Sequence, residues 1–483
     1  MTRGRLVVHG HFYQPLRVDP FSGTVPPDPS AAPFDNWNAR VAAECYRPNA
    51  ERRNPGRMSW DLGPTLAEWL ETGDPKAYRG FIDGDRPADR DPSIPLERGN
   101  GMAQPFHHAI AALGSAADRR TEIRWGMRDF LFRFGRDAKG LWFPETAVDV
   151  PSLRIAAEEG IRYTILAPWQ GATAGLDTRR PYRVELGGGR SMVVAFYDAG
   201  LSSAVSFEPD ATADADRFAR ERVATRLAGP FDPGAGAPFV VIATDGELYG
   251  HHQPFRELFL QRLVRPAPDQ PDHGFDVVDL ASAVLAGSAQ PLRTTRINER
   301  TSWSCHHGVL RWSGECGCVA DGRWKGPLRS AFERLAASID TVTETLAAGL
   351  PREPDPWAAR DAYVDVVLGA QPSGSFAAHW LGSRAPIEAR RTLMRLMESQ
   401  RWRLAMFTSD GWFWDDPMRP ETRQVMRFAG RAARLVDELA GTSLEHRLVQ
   451  DLALLRSARH GLDGAAIYRM AIEEVGQSLA PVA

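Results

Sequence analysis

The chain has 483 residues, of which 43% are hydrophobic and 25% are charged, and its formal net charge at pH 7 is −3. This composition is typical of globular proteins and argues against a disordered chain. It provides no basic field of the kind that binds nucleic acid or an anionic membrane surface. The length is sufficient for one large domain and a smaller one.

The sequence contains no segment that predicts insertion into a membrane or export. No run approaches the ~18 consecutive apolar residues that a membrane span needs. The first residues, Met1 to Arg5, lead directly into an apolar strand without a secretory signal. Four cysteines in a chain of this size do not form a disulfide framework. We therefore expect a soluble, reduced, cytoplasmic protein.

Short apolar runs alternate with helical patterns through the first half of the chain. Strands are predicted near residues 5–9, 57–61, 101–105, 141–144, 163–167, 192–197 and 239–244. This alternation predicts a parallel α/β sheet. About seven strands, most of them followed by polar side chains, favour a closed barrel over an open sheet. The polar residues 72–98 show no periodicity and are predicted to form an excursion over the mouth of the barrel.

Two acidic residues stand where predicted strands deliver their last side chains. Glu145 follows the run that ends at Pro144, and Asp245 follows the run 239–244. A pair of carboxylates in such positions suggests glycoside hydrolysis. Glu145 or Glu247 would then be a neighbouring charge that raises the pKa of Asp245. Helix capping explains one such acid equally well, but it explains the pair less readily.

Histidines and aromatic residues accompany these acids. Eight of the twelve histidines fall in the pairs 9/11, 107/108, 251/252 and 306/307. Pairs at strand ends suit either a hydrogen-bonding sugar pocket or a metal site. The candidates for hydrogen bonds to ring hydroxyls are His11, His108 and His307. The candidates for stacking on sugar faces are Tyr13, Trp142, Trp169, Trp303 and Trp412, although filling a core is the commoner role of tryptophan.

Three of the four cysteines lie close together in the sequence. They are Cys305, Cys316 and Cys318, and His307 lies between the first two. Three thiolates and one imidazole can hold a structural zinc ion. The spacing differs from the usual pairs separated by two to four residues, so reduced, partly buried thiols are the default interpretation. The sequence leaves this choice open, and no cofactor is expected.

From about Pro327 the pattern changes to Leu, Ala, Arg and Glu at helical spacing. We therefore divide the chain into a barrel domain with loop insertions, residues 1–326, and an all-helical domain, residues 327–483. Asp410 and Trp412 lie in an acidic and aromatic stretch, 408–416, that is predicted to form a lid loop over a sugar site. The C-terminal helices could close the active site, form the face of a homo-oligomer, or do both.

Four motifs in order resemble glycoside hydrolase family 57, and most of all its amylase/mannosidase-like branch. They are His9-x-His11 with Gln14-Pro15, then Trp142-Phe143-Pro144-Glu145, then Thr244-Asp245-Gly246-Glu247 with Tyr249-Gly250, and Trp303-Ser304-Cys305-His306-His307. The resemblance implies a (β/α)7 barrel with a C-terminal helical domain. It also implies a retaining mechanism on α-glycosidic bonds and no catalytic metal. One departure is the segment Gly99 to Met102, which lacks the glutamate of the family's second motif and so leaves the substrate open.

The resemblance also assigns roles. Glu145 matches the family's nucleophile and Asp245 its general acid/base. His9, His11 and His307 match motif histidines, and Asp410 and Trp412 match the lid segment. Gln14, His108, Trp142, Glu247 and Trp303 complete the predicted substrate-binding set. The expected substrate is an α-linked oligo- or polysaccharide, and both hydrolysis and transglycosylation fit.

Two other functions fit parts of the sequence. A metal-dependent polysaccharide deacetylase or metallo-mannosidase also places histidines at barrel strand ends, and it would hold a divalent ion with His9, His11 and an acid. A non-catalytic glycan-binding protein with a degenerate barrel is the second alternative. The presence of both carboxylates argues against degeneracy.

Overall fold

The computed structural model describes residues 3–87, 98–232, 236–265, 272–285 and 292–478. The chain forms two compact units. The first comprises Met1–Gln14, Pro27–Pro105 and Arg133–Trp303, and the second comprises Pro15–Pro26, Phe106–Phe132 and Ser304–Ala483. These units divide the chain differently from the predicted boundary after residue 326. The difference has a physical reason, since Phe106 and Trp125 are buried in the same hydrophobic core as the C-terminal helices.

Nine strands are found among the described residues of the first unit. They are β1 (Gly4–Phe12), β2 (Ser59–Leu62), β3 (Gly101–Met102), β4 (Tyr163–Leu166), β5 (Tyr182–Gly187), β6 (Arg190–Phe196), β7 (Phe239–Asp245), β8 (Phe275–Val277) and β9 (Arg293–Thr295). The strands β3, β2, β1 and β7 pair in that order, and all three pairings are parallel. A second parallel pair joins β4 to β6.

Single contacts join these two groups of strands into a ring. Leu141 forms a parallel bridge with Ala103, and Gly140 forms one with Tyr163, so the short segment 140–141 lies between β3 and β4. On the other side, the N–H of Asp198, just after β6, donates to the carbonyl of Val241 in β7 at 2.8 Å. Seven parallel segments therefore close on themselves, and the predicted (β/α)7-type fold class is confirmed.

Strands β1 and β7 consist almost entirely of buried residues, as expected for parallel strands covered on both faces. Their inward side chains pack with those of β4 and β6 in one core that includes Val7, Ile165, Ala195 and Val241. The helices around this core are Trp37–Val41, Arg47–Glu51, Pro64–Gly73, Pro75–Asp85, Val150–Glu158, Ala199–Phe207, Ala215–Phe218, Ala224–Leu227, Arg256–Val264 and Leu280–Leu285.

Two local predictions need correction. The segment 141–144 is not a regular strand, because only residues 140 and 141 are bridged and a tight turn, Pro144–Thr146, follows. Residues 72–98 are not a plain excursion, because Pro75–Asp85 is a helix whose N-terminus is capped by the Asp74 carboxylate. The remainder of that stretch, 88–97, lies outside the described residues.

The second unit is helical over its described residues. Its helices are Ala116–Phe134, Lys325–Ala348, Pro356–Ala362, Val364–Val367, Ser373–Leu381, Ile387–Ala405, Asp410–Phe413, Pro420–Ala440, Leu444–Leu452 and Gly464–Ser478. The predicted all-helical character of the C-terminal region is confirmed. No helix in the described part of the chain is long and apolar enough to span a membrane.

Candidate active site

A buried carboxylate joins the two histidines of the first strand. His9 and His11 lie two residues apart on β1, so their side chains point to the same face. The His9 Nε2 is 3.0 Å from Oδ1 of Asp61, and the His11 Nδ1 is 2.7 Å from Oδ2 of the same residue. All three side chains are buried. This triad (His9, Asp61, His11) fixes the orientation of both imidazole rings.

The sequence prediction did not include Asp61 among the site residues. It lies on β2 directly opposite His11 in the parallel register. Its position at the end of a short apolar run resembles that of Asp245 and was the signal available in the sequence. A second supporting group is Gln104, whose amide nitrogen donates to Oδ2 of Asp61 at 3.1 Å.

The triad carries opposite charges at neutral pH. Burial by itself lowers the pKa of His11, but the charge of Asp61 and the hydrogen bond to it outweigh burial, and the pKa is raised to about 9. Burial likewise opposes ionisation of Asp61, yet its two histidine partners bring the pKa of this carboxylate below the usual range. Burial lowers the pKa of His9. His11 is therefore an imidazolium paired with the Asp61 carboxylate.

The carboxylate of Asp245 stands next to this cation. On the other side of β1, Asp245 at the end of β7 is the register partner of His11. Its side chain is exposed to solvent, although protein atoms surround it closely. The surrounding protein raises the pKa of Asp245, the His11 cation opposes the rise, and the Asp61 carboxylate adds to it. Because water reaches the carboxylate, solvent moderates this rise.

A second acid lies two residues further on. Glu247 is buried, and its Oε1 accepts hydrogen bonds from the Tyr46 hydroxyl at 2.5 Å and from the Tyr13 N–H at 3.2 Å. Burial raises the pKa of Glu247 to about 7. The hydrogen bond from Tyr46 opposes this rise, and the charge of Asp245 adds to it. The Gln14 side chain hydrogen-bonds with Tyr46 in turn. Predicted residues Gln14 and Glu247 therefore belong to one buried polar chain.

Glu145 occupies a strained turn. Its φ is 58°, and that of Thr146 is 48°, a left-handed conformation that costs free energy for residues other than glycine. The half-buried carboxylate accepts a hydrogen bond from Trp303, whose Nε1 lies 3.0 Å from Oε2. The Trp303 N–H also donates to the carbonyl of Glu145 at 3.0 Å. Trp303 thus holds both the backbone and the side chain of Glu145.

A buried glutamine outside the predicted set holds the same turn. The Gln170 amide nitrogen donates to the carbonyl of Thr146 at 2.8 Å and to that of Thr301 at 3.1 Å. Its oxygen accepts from the Thr146 hydroxyl at 2.8 Å and from the Ala167 N–H at 2.9 Å. A lone glutamine after an apolar run gives no pattern that would reveal this role, since the contacts join segments far apart in the sequence.

The aromatic residues near the triad divide into supporting and accessible ones. Trp142 is fully buried and its ring is stacked on those of His9 and His11, with centroids 5.0 Å away in each case. This position supports the histidines and leaves no face for a sugar. Trp303, in contrast, is only half-buried and meets Trp142 edge to face at 4.9 Å. Trp169 is 44% exposed.

The other predicted site residues belong to the second unit. His108 is buried, and its Nδ1 lies 2.7 Å from the Ser409 hydroxyl. Asp410 accepts a hydrogen bond from the Thr408 hydroxyl at 3.1 Å. The stretch predicted as a lid loop contains the short helix Asp410–Phe413, and Trp412 is fully buried there against Phe332. His307 lies among three cysteines.

Comparison with known proteins shows which class of protein this chain resembles. Residues 97–272 match the family model described as Glycosyl hydrolase family 57. The resemblance to family 57 drawn from the four motifs is therefore confirmed. Residues 321–483 match the model of a domain of unknown function, DUF3536.

Individual relatives agree with this class. An alpha-amylase of Pyrococcus horikoshii is 26% identical over 176 residues, a match that spans 35% of this chain and 26% of that protein. An exo-type maltose-forming amylase from Pyrococcus sp. ST04 superposes with a TM-score of 0.73 at 15% identity, over 99% of this chain and 92% of that chain. A GH57-type branching enzyme from Pyrococcus horikoshii superposes with a TM-score of 0.61 at 15% identity, over 96% of each chain. At such identities the two structures show a shared fold.

Proposed function

We propose that this protein is a retaining glycoside hydrolase or transglycosylase that acts on α-linked glucans or oligosaccharides. Glu145 is the nucleophile and Asp245 the general acid/base. The observation that carries the proposal is that Glu145 and Asp245, both in the first unit, are held in different ways. Glu145 is fixed by Trp303 on a strained turn, whereas Asp245 is open to solvent beside the His11 cation and has a raised pKa.

Two carboxylates in different environments suit the two roles of a double displacement. In the first step, an oxygen of Glu145 bonds to the anomeric carbon while the bond from that carbon to the leaving oxygen breaks. Asp245 gives its proton to the leaving oxygen. The hydrogen bond from the Trp303 indole orients the attacking carboxylate, and the raised pKa of Asp245 favours the protonated form that this step needs.

In the second step, water or a sugar hydroxyl attacks the anomeric carbon and displaces Glu145. Asp245, now a carboxylate, takes the proton of the attacking group. The neighbouring His11 cation stabilises this charged form of Asp245, since it opposes the rise in the pKa that the surrounding protein causes. Attack by water gives hydrolysis, and attack by a sugar gives transglycosylation. Two successive displacements leave the anomeric configuration unchanged.

The substrate class rests on the relatives. Those named are an alpha-amylase, a maltose-forming amylase and a branching enzyme, and α-linked glucan is the substrate class that we propose for this chain. The half-buried ring of Trp303 and the exposed ring of Trp169 offer aromatic surface of the kind that stacks on sugars.

The test is an NMR time course on a panel of α-glucans and α-linked oligosaccharides. We compare the wild type with Glu145→Gln, Asp245→Asn and the control Glu185→Gln, which alters an exposed glutamate on β5. We expect the wild type and the control to give a first-formed product with the α configuration. With an activated glycosyl donor, azide should restore turnover in Asp245→Asn, and the configuration should be retained. In Glu145→Ala, azide should restore turnover with inversion, because only one displacement occurs without the nucleophile.

The opposite results discriminate the alternatives. Full activity in Glu145→Gln would refute the proposed nucleophile. If no α-glycoside is turned over while an acetylated glycan releases acetate in a metal-dependent manner, the deacetylase alternative replaces the proposal. If glycans bind without turnover and the carboxylate variants bind equally well, the protein is a glycan-binding one.

A further inference from the structure

A cluster of three thiols and one imidazole lies in the loop region that precedes the long helix Lys325–Ala348. Its members are Cys305, His307, Cys316 and Cys318, and one ligand atom of each lies within 4.8 Å of those of all the others. We propose that this cluster is a structural zinc site. The proposed glycosidase chemistry does not use these four residues as a group, and none of the comparisons assigns them a metal.

The distances suit a common centre. The Sγ atom of Cys305 is 3.3 Å from that of Cys316 and 3.5 Å from that of Cys318. The Nδ1 atom of His307 is 3.3 Å from each of the Sγ atoms of Cys316 and Cys318. Tetrahedral zinc with bonds of ~2.3 Å to sulfur places its sulfur ligands roughly 3.8 Å apart. A few tenths of an ångström of expansion would admit the ion.

The same distances do not fit a disulfide. A disulfide joins two sulfur atoms at ~2.05 Å, whereas here Cys305 lies at similar distances from both Cys316 and Cys318. The His307 imidazole is equally close to the same two thiols. All four cysteines of the chain carry free thiols. A set of three thiolates and one imidazole is one of the standard ligand sets of structural zinc, and it fills all four positions with protein atoms. The site is therefore closed to substrate or water.

Backbone N–H groups donate hydrogen bonds to two of the cluster sulfur atoms. The four residues come from two short loops. The first loop contributes residues 305 and 307, and the second contributes residues 316 and 318, so that each pair is separated by one residue. The N–H of Cys318 is directed at the Sγ of Cys316, 3.5 Å away, and the N–H of His307 donates to Cys305. Hydrogen bonds of this kind stabilise thiolates and orient metal ligands. The repetition of one arrangement in both loops is a feature that isolated thiols would not require.

Buried positive charge beside the cluster is a second, independent observation. Lys325 is fully buried, and its Nζ atom has no hydrogen-bond partner among the described residues. It faces Cys305 and Cys316, and the Arg311 guanidinium hydrogen-bonds with Cys318. A buried ammonium group without a hydrogen-bond partner is costly, and the Trp324 ring at 5.6 Å and the charge of Asp415 compensate only part of that cost. Zinc held by three thiolates and a neutral imidazole has a net charge of −1, which would balance these cations.

Binding would tie the two loops to each other within the second unit. One zinc ion enters, and three thiols lose their protons to solvent, so that up to about three protons are released per ion. No electron transfer is involved. The assignment gives the Nδ1 atom of His307 to the metal, and it extends the predicted role of this residue from sugar binding to metal binding.

The first experiment measures metal content of the whole chain after purification without chelators. We expect about one zinc per chain in the wild type and in the control Cys45→Ser, and about a tenth of that or less in Cys316→Ser and Cys318→Ser. Cys45 is a suitable control because it is a buried cysteine of the first unit and is not a member of the cluster.

A second measurement uses the wild-type chain, so that the proposal can be tested even if the cysteine variants fail to fold. The wild-type chain is stripped of metal under reducing conditions and titrated with Co²⁺, which should give a thiolate-to-cobalt charge-transfer band and intense tetrahedral d–d bands that saturate at about one equivalent. Zinc should abolish these bands. The absence of both zinc and the cobalt bands would refute the proposal, and so would a mass loss of two hydrogens that shows a disulfide between cluster cysteines. Neither readout depends on glycosidase activity.

Discussion

Trp303 donates two hydrogen bonds to Glu145, one from its indole to the carboxylate and one from its backbone to the carbonyl, each 3.0 Å long. The acceptor residue has a left-handed backbone at φ 58°. An unfavourable conformation persists only where its surroundings enforce it. Trp303 is therefore a positioning residue for the proposed nucleophile, even though it lies more than 150 residues away in the sequence.

Replacing the indole should reduce turnover more than binding. We expect Trp303→Phe to lower kcat about 10- to 100-fold, because a hydrogen bond to a charged group contributes about 1.5–3 kcal/mol. The ring is kept, so the KM for an α-glucan should change less. The matched control is Trp169→Phe, since the Trp169 indole donates at 2.9 Å to the carbonyl of Ser302 and not to a carboxylate. Equal losses in both variants would contradict the assigned role.

Removal of the glutamine that holds the turn should affect stability and activity together. In Gln170→Leu, the Thr146 carbonyl loses its donor and the Thr146 hydroxyl loses its acceptor, while the Thr301 carbonyl keeps only the Val148 N–H as a donor. We expect a loss of about 2 kcal/mol or more in the free energy of unfolding, measured by chemical denaturation. A double-mutant cycle with Thr146→Val should show a coupling energy, because the two residues share their bonds. Additive effects would show that the contact is not important.

The role of Asp245 as an acid predicts a specific pH dependence. Its raised pKa keeps the carboxyl protonated to higher pH than an ordinary aspartate, and kcat/KM on an unactivated glucan should fall as pH rises through that pKa. A substrate with an activated leaving group needs no protonation, so its profile should lose this alkaline limb. Asp245→Asn should lack the limb with both substrates. A limb that survives in Asp245→Asn would assign the acid to another group.

The neighbouring His11 cation should determine in part the pH at which the alkaline limb of the kcat/KM profile lies. His11 lowers the pKa of Asp245, and its replacement by a neutral residue should move the alkaline limb to higher pH. We expect this in His11→Gln, measured on the residual activity with an unactivated glucan. The control is His446→Gln, which removes an exposed histidine on the helix Leu444–Leu452. A shift to lower pH in His11→Gln would contradict the observed arrangement of charges.

His11 should also leave a signature in stability. Its pKa is raised from 6.5 to about 9 in the folded protein, so folding binds a proton over that interval. The contribution is fully present below pH 6.5 and is lost as pH rises through 9, with a total of up to about 3 kcal/mol. We expect the free energy of unfolding of the wild type to decline between these values, and His11→Gln to decline less. Parallel curves would show that His11 is not protonated in the folded state.

The sequence allowed the barrel and its strand ends to be predicted because these features depend on local patterns. Apolar runs, prolines and polar ends identified six of the seven barrel segments, and they placed Glu145 and Asp245 at strand ends. The segment near Leu141 was the least regular, because it contributes only isolated bridges and then turns at Pro144. The strand β5, which pairs antiparallel with β6, was not among the predicted strands.

The supporting groups could not be predicted in the same way. Asp61 and Gln170 act through residues far away in sequence, and of the two only Asp61 has a signal in the sequence, its position at the end of a short apolar run. Whether a tryptophan can stack on a sugar depends on how far its side chain is buried, and the residue type alone does not reveal this. Trp142 and Trp412 were expected to stack on sugars but are fully buried, because a large indole removes much apolar area from water when it joins a core. Trp303, from the same list of candidates, is only half-buried.

The register between β1 and β7 determines when this site can exist at all. Arg5 pairs with Phe239 and His11 with Asp245, so the first strand meets its partner only after more than 230 further residues have been synthesised. At roughly 5–20 residues per second, that delay is on the order of 10–50 s on the ribosome. During that interval the apolar edge of β1 has no β7 to cover it. The nascent chain is therefore exposed to aggregation and to chaperones before Asp245 can take its place beside His11.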